Sequence, residues 1–126
     1  MRPYRGKKID NDKLVYGWLF ERGGGSYIIP ITDEYHTPAS FVLTFVPVIP
    51  ETVGQQTGLK DKKRKEIYEN NKVREVFRVA GHPDDIFEGV VTWWDSGWFL
   101  KTKEYGMISL TDGADELEII DDKEAE

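Results

Sequence analysis

Five of the six residues in the run KDKKRK, at positions 60–65, carry a positive charge. The basic residues are Lys60, Lys62, Lys63, Arg64 and Lys65. Clusters of lysine and arginine bind the phosphates of nucleic acids, and such binding weakens steeply as the salt concentration rises. Basic side chains on an exposed turn also keep strand edges from pairing with other sheets. The run is therefore interpreted either as a nucleic-acid contact or as a solvated turn between two strands.

The segment before this run, GQQTGLK at 54–60, superficially resembles a phosphate-binding loop. A P-loop has a glycine, four further residues and then Gly-Lys-Ser/Thr at the start of a helix. Here Gly54 and Gly58 are four positions apart, leucine follows the second glycine, and no helical pattern comes after it. We therefore predict an ordinary loop in which the two glycines permit positive φ angles.

A tryptophan-rich hairpin is the second candidate contact surface. The tripeptide DSG at 95–97 predicts a three-residue loop with its glycine in the left-handed region, so that Trp94 pairs with Trp98. We expect the more uniformly apolar face, which carries those two tryptophans, to be buried. The candidate contacts on the outer face are Trp93, Phe99, Lys101 and Lys103.

Three interpretations of this outer face remain open. Aromatic rings beside cations stack on single-stranded bases, which favours nucleic acid as the ligand. Tryptophan is also enriched at the hot spots of protein interfaces, which favours a protein partner. Alternatively, the N-terminal half of the chain or a second subunit covers the face.

The other polar side chains match no catalytic or cofactor-binding pattern. The chain has no cysteine, which excludes thiolate metal ligands, disulfides and a cysteine nucleophile. His36 and His82 have acidic neighbours, but their spacing matches no metal-site template. We therefore predict a non-catalytic protein without a metal or cofactor. The alternative is a carboxylate enzyme, which requires several of these side chains to converge: Asp33, Glu34, His36, His82, Asp84 and Asp85.

Short strands must position these candidate residues, because apolar residues alternate along the chain and no helical period is sustained. Leu14, Tyr16, Trp18 and Phe20 lie on one face of the first long predicted strand. About six to eight such strands, separated by turn residues, predict an all-β barrel or sandwich. At most a single helical turn is expected, near residues 50–53 or 112–116.

The net charge of −6 is concentrated at the end of the chain. Residues 112–126 hold eight acidic residues and one lysine, so the preceding residues carry a net charge of +1. The net charge of the chain therefore argues neither for nor against nucleic-acid binding. The first ten residues lack the apolar segment of a secretory signal, and no apolar run is long enough to span a membrane. A cytoplasmic protein without a membrane partner is expected.

Four segments within roughly the first 70 residues occur in a characteristic order. They are YRGKKID at 4–10, LVYGWL at 14–19, PETVGQQTGLKDK at 50–62 and KEIYE at 65–69. With these segments the chain resembles the YopX family of phage and prophage proteins. The third segment is long and specific, whereas the second half of the chain matches the family pattern only loosely.

This resemblance implies a mainly β fold of phage or prophage origin, located in the cytoplasm of a bacterial host cell. We expect an N-terminal β subdomain at 1–58, an SH3-like β-barrel at 59–120 and a frayed acidic tail at 121–126. The family pattern implies no activity. We therefore expect an accessory protein that binds an unknown protein partner or itself, with a nucleic-acid-binding module as the alternative. Residues 63–65 replace the Asn-Gly-Lys of relatives, so they argue little for a shared nucleic-acid function.

Overall fold

The computed structural model describes residues 2–31 and 45–122, and the chain divides into two compact units. The first unit is Met1–Gln55 and the second is Gln56–Lys123. Both are built from antiparallel strands, with a 3₁₀ turn at Pro50–Thr52. The mainly β fold is therefore confirmed, and the short helical turn lies where the sequence predicts one.

A sheet of antiparallel strands forms the first unit. Its strands are β1 (Tyr4–Lys7), β2 (Leu14–Arg22), β3 (Gly25–Pro30), β4 (Val46–Val48) and the first residues of β5 (Gly54–Lys60). They are arranged in the order β4-β3-β2-β1-β5, and β5 continues into the second unit. A bridge between Lys8 and Val48 also ties the residue after β1 to β4.

Alternation along β2 separates the two faces of this sheet. The buried core of the first unit consists of Val15, Ile28 and Val48. Tyr16, Trp18 and Phe20 point to the opposite face and are exposed. The strand predicted from this alternation is therefore confirmed, and its aromatic face is the outer one.

The second unit contains a β5–β6 hairpin and a five-stranded antiparallel sheet. Strand β6 (Glu66–Tyr68) pairs with the last residues of β5. The other strands are β7 (Lys72–Phe77), β8 (Asp85–Trp94), β9 (Gly97–Lys101), β10 (Met107–Ser109) and β11 (Glu116–Asp121). Their order in the sheet is β10-β9-β8-β7-β11. The buried core of this unit consists of Ile67, Val73, Val91, Leu100, Leu110 and Leu117.

Two expectations about the middle of the chain differ from the structure. Residues 54–60, predicted as a loop, form strand β5, and of the two glycines only Gly58 has a positive φ, at 86°. The register of β5 against β6 shifts around this glycine, so its conformational freedom serves a bulge rather than a loop. The SH3-like barrel predicted for 59–120 is not confirmed, because the five-stranded sheet is open. The predicted domain limits stay a prediction.

Some expectations fall outside the described residues. They concern His36 with its acidic neighbours, the beginning of the predicted strand at 41–49, and residues 123–126 of the acidic tail. Within the described ranges, no helix is long and apolar enough to cross a membrane.

Candidate functional site

Asp61 organises the basic turn at 60–65. It is only 6% exposed. One carboxylate oxygen, Oδ1, accepts hydrogen bonds from the backbone N–H groups of Lys63 and Lys65, both at 2.9 Å. The other oxygen, Oδ2, accepts a hydrogen bond from the N–H of Ile119 in β11 at 3.3 Å. The single acidic residue of the run therefore fixes the shape of the turn.

The same turn covers the outer edge of β11. The N–H of Lys62 donates to the carbonyl oxygen of Leu117 at 2.7 Å, beside the bond between Asp61 and Ile119. Arg64 takes the left-handed backbone conformation that closes the turn, with a φ of 65°. A strand edge whose backbone groups are already bonded does not pair with another strand. The turn thus has a structural task that is independent of any ligand.

Carboxylates hold two of the five basic side chains in this turn. Lys60 Nζ lies 3.6 Å from the carboxylate of Glu66. Lys62 Nζ lies 3.3 Å from Glu116 and 3.2 Å from Glu118. Such exposed pairs stabilise the fold little, but they cancel positive charge where a phosphate would bind. The other three basic residues, Lys63, Arg64 and Lys65, are exposed and have no ion-pair partner in the part of the chain that the structure describes.

Two threonines of the segment PETVGQQTGLKDK bind neighbouring backbone groups. Thr52 Oγ1 donates to the carbonyl of Ile49 at 2.6 Å and accepts the N–H of Lys7 at 2.8 Å. Thr57 Oγ1 is buried and donates to the carbonyl of Ile67 at 2.8 Å. With Asp61, these side chains explain much of the specific sequence of the segment as contacts that hold strands and turns together.

The β8–β9 hairpin has a shorter loop than the sequence suggests. Trp94 pairs with Gly97, so the loop consists of residues 95–96, which have φ angles of 47° and 62°. Two left-handed residues form the tight turn that fits the twist of a hairpin. The predicted pairing of Trp94 with Trp98 is wrong, because Trp98 pairs with Trp93. A register shift of one residue moves the side chains of one strand to the other face.

The corrected register separates the predicted aromatic contacts. Trp93 lies on the core side of the sheet near the hairpin tip, 54% exposed, with its ring 5.0 Å from that of Trp98. Phe99 lies on the outer face, where its ring contacts that of Trp94 edge to face at 5.1 Å. Trp94, which the sequence predicts to be buried, is 50% exposed. The aromatic pair of the outer face is therefore Trp94 with Phe99.

Lys101 lies two residues from Phe99 of this pair, and it shares a cleft with two further lysines. Lys101 pairs with Val90, whose neighbour on the other side is Lys72. With Lys103, both lysines line one cleft of about 320 Å³. None of the three has an ion-pair partner among residues 2–31 and 45–122. Sequence reasoning missed Lys72 because it lies on another strand, next to the hairpin only in the folded sheet.

The outer face of the first unit is aromatic over two strands. Tyr16, Trp18 and Phe20 of β2 are 46%, 39% and 38% exposed. In β3, Tyr27 pairs with Phe20 and Ile29 pairs with Trp18. We call these five residues the aromatic sheet face. The alternation of β2 is visible in the sequence, but exposure is not, because it depends on what the rest of the chain covers.

Glu75 is a fully buried carboxyl group in β7. Its Oε2 accepts a hydrogen bond from the N–H of Thr111 at 3.1 Å, and its Oε1 has no hydrogen-bond partner among the described residues. Burial raises the pKa of Glu75 above its ordinary value of 4.5, and the hydrogen bond from Thr111 lowers it by a smaller amount. The folded protein therefore binds this proton more tightly than the unfolded chain does.

Glu75→Gln is expected to raise the melting temperature at neutral pH and to change it little near pH 4. The raised pKa means that wild-type stability falls as the pH rises above 4.5, because the unfolded chain releases its proton first. Glutamine keeps an acceptor for the N–H of Thr111 and cannot ionise. Thermal unfolding of both proteins across this pH range measures the effect. A difference in melting temperature that does not grow with pH would contradict the argument.

The carboxylate-enzyme hypothesis gains no support from the described residues. His82 and Asp84 in the β7–β8 connection and Asp85 at the start of β8 are exposed. No group of three or more metal-ligating side chains occurs within the ranges that the structure describes. The other members of the proposed cluster, Asp33, Glu34 and His36, lie outside those ranges.

A family model matches nearly the whole chain. The model, described as YopX protein, covers residues 3–120. No curated protein and no solved structure matches the chain. The family match extends over the β-rich second half, beyond the four segments that carry the resemblance in sequence. The chain therefore belongs to the YopX family.

Proposed function

We propose that this protein is a non-catalytic accessory protein of phage or prophage origin that acts by binding another protein chain. We further propose that this other chain is a second copy of the protein, bound through the aromatic sheet face. The proposed origin, and the bacterial cytoplasm as its location, rest on the family. The binding mode rests on the exposure of the aromatic sheet face.

Exposure of this face is the observation that carries the proposal. One side of the first sheet already packs on its own core, yet Tyr16, Trp18 and Phe20 on the other side remain at least 38% exposed. Adjacent residues of β3 extend the apolar surface across a second strand. Contiguous apolar patches on the surface of a soluble protein often mark interaction sites.

A second copy is the occupant whose chemistry fits best. The five residues of the aromatic sheet face carry no charge, so they favour a surface that is equally uncharged. The same face of another copy meets that requirement, and a two-fold axis would bring each aromatic residue against its equivalent neighbours. Two such sheets pack face to face at a distance of about 10 Å. Aromatic pairs across that interface contribute about 0.5–1.5 kcal/mol each beyond the burial of their area.

The double variant Trp18→Thr, Phe20→Thr is expected to weaken self-association by roughly tenfold to a thousandfold, since exposed aromatic anchors dominate such interfaces. Threonine suits a strand, and both side chains are partly exposed, so the fold is expected to persist. Sedimentation equilibrium across a wide concentration range measures the dissociation constant. Trp93→Thr, a change of a similarly exposed tryptophan in the second unit, is the matched control and leaves it unchanged.

Two outcomes would contradict this assignment. A wild-type protein that stays monomeric at all concentrations rejects the second copy as the occupant. A dimer that forms equally well with the double variant places the interface elsewhere. A host protein that binds the wild type and not the double variant would keep the aromatic sheet face as the binding surface and change only its partner.

A further inference from the structure

We propose that an exposed surface of the second unit binds single-stranded nucleic acid by stacking bases on an aromatic pair and holding phosphates with three lysines. The aromatic pair is Trp94 and Phe99, and the lysines are Lys72, Lys101 and Lys103. We call these five residues the aromatic–lysine surface. It shares no residue with the aromatic sheet face, so it stands or falls independently of self-association.

The aromatic pair offers a stacking platform. The rings of Trp94 and Phe99 meet edge to face, with an interplanar angle of 81° and centroids 5.1 Å apart. Trp94 is half exposed although it is held in place by this contact and by the tight hairpin turn. A base stacks on such a held ring with little loss of side-chain freedom, and every base has a π-face, so stacking tolerates any sequence.

The lysines lie where a strand that stacks on Trp94 would continue. Lys101 is two residues from Phe99, which is about 7 Å along β9. Lys72 is two strands from Lys101, about 10 Å across the sheet. Both lysines and Lys103 line the same cleft. Bases and phosphates of one extended strand can therefore engage the two parts of the surface together.

The charge of these lysines is available to a ligand, unlike that of neighbouring basic residues. Arg74, next to Lys72 on the same face of β7, is bound by the carboxylates of Glu88 and Glu118. Arg78 is likewise paired with Glu116. The three lysines have no such partner among the described residues. Positive charge without an ion-pair partner among the described residues therefore lies in the cleft that begins at Lys101, two residues from Phe99, whereas Arg74 and Arg78 are paired.

Carboxylates near the cleft limit the affinity. Glu104 lines the cleft, and Asp121 is the β11 neighbour of Lys72. Against three lysines they leave a local excess of about one positive charge, since Glu88 is already paired with Arg74. We therefore expect weak binding, with a dissociation constant of roughly 10⁻⁶–10⁻⁴ M at low salt, that depends on base stacking as well as on charge.

Nucleic acid fits this surface better than an acidic peptide does. An acidic peptide uses the lysines but has no flat group to place on the ring of Trp94. The two ligand classes are separated by three labelled probes: an oligothymidylate, an abasic oligonucleotide of equal length, and polyglutamate. Fluorescence anisotropy at low salt is expected to show the tightest binding to the oligothymidylate. Its binding is also expected to quench tryptophan fluorescence.

Two pairs of matched variants locate the contacts. Trp94→Ala is expected to weaken oligothymidylate binding by roughly fivefold to 150-fold with an unchanged salt dependence. Trp93→Ala, in the same hairpin but on the opposite face, is expected to leave oligothymidylate binding unchanged.

The double variant Lys101→Gln, Lys103→Gln is expected to reduce the slope of log affinity against log salt by about 1.4. Lys63→Gln, Arg64→Gln in the basic turn is expected to leave that slope unchanged.

Each alternative result overturns the proposal. Absence of binding at low salt removes it outright. Equal binding of the abasic probe or of polyglutamate shows a charge-only surface without stacking. Equal losses for Trp94→Ala and Trp93→Ala, in variants whose melting temperatures match the wild type, place the contact elsewhere. A smaller slope of log affinity against log salt in the Lys63→Gln, Arg64→Gln variant would place the phosphate contacts in the basic turn.

Discussion

Alanine in place of Gly17 is expected to lower the free energy of unfolding of the first unit by at least about 3 kcal/mol. A Cβ at this position of β2 would lie 1.9 Å from the carbonyl oxygen of Ile29 and 3.0 Å from the Cα of Pro30. Both are backbone atoms of β3, so the clash is relieved only if the two strands move apart. Because β2 lies between β1 and β3, that movement disrupts the centre of the sheet.

Urea unfolding followed by tryptophan fluorescence, together with amide hydrogen exchange of β2 and β3, measures this loss. Gly25→Ala in β3 is the matched control, because its Cβ would first meet the hydroxyl oxygen of Tyr27 at 3.1 Å. That atom ends a side chain that can rotate, so the control is expected to cost less than about 1 kcal/mol. Similar small losses for both variants would show that β2 and β3 accommodate the extra carbon.

The role of Gly17 illustrates what the sequence reveals about the first unit. Alternation of apolar residues predicts β2 and which of its side chains share a face, since that information is local. The requirement for glycine comes from the approach of β3, which depends on strand pairing. Exposure of the aromatic face depends in the same way on contacts that are distant in sequence. The local sequence pattern therefore predicts the strand, whereas its pairing with neighbouring strands determines the role of each of its residues.

The β8–β9 hairpin shows why the candidate contacts in the second unit are only partly predicted. Gly97 is the residue that best tolerates a left-handed conformation, so the sequence favours a three-residue loop that ends there. In the structure Asp95 and Ser96 take positive φ angles instead. The resulting shift of one residue exchanges Trp93 for Trp94 on the outer face. Phe99 and Lys101 keep a shared face, because they alternate within one strand.

The basic run shows a different limit of sequence reasoning. Charge density alone favours Lys60–Lys65 as an anion contact, yet partners from β6 and β11 neutralise Lys60 and Lys62. These carboxylates lie as many as 56 residues in sequence from the lysine that they contact, as Glu118 does from Lys62. Asp61, which looks like an interruption of the run, is the residue that the turn requires. Sequence reasoning singled out the segment and its basic side chains, and the structure adds the role of Asp61 in holding the turn.

Replacing Asp61 by alanine is expected to lower the free energy of unfolding of the second unit by about 2–4 kcal/mol. The substitution removes the acceptor for three backbone N–H groups, those of Lys63, Lys65 and Ile119. Hydrogen bonds to a charged acceptor contribute about 1.5–3 kcal/mol each, and water replaces part of this at the more exposed end of the turn. The edge of β11 also loses its cover, so aggregation is expected to increase.

Asp61→Asn separates the contribution of the turn from that of the β11 edge. The asparagine side-chain oxygen can still accept the two bonds from Lys63 and Lys65, while its amino group faces the N–H of Ile119 and cannot accept. We expect a loss of about 1–2 kcal/mol, with faster hydrogen exchange at Ile119 and nearly unchanged exchange at Lys63 and Lys65. Lys63→Ala keeps all three backbone donors and is expected to cost less than about 0.5 kcal/mol. Equal stability of the Asp61→Ala and Lys63→Ala variants would show that the turn forms without the carboxylate, and would remove the structural explanation of this acidic residue.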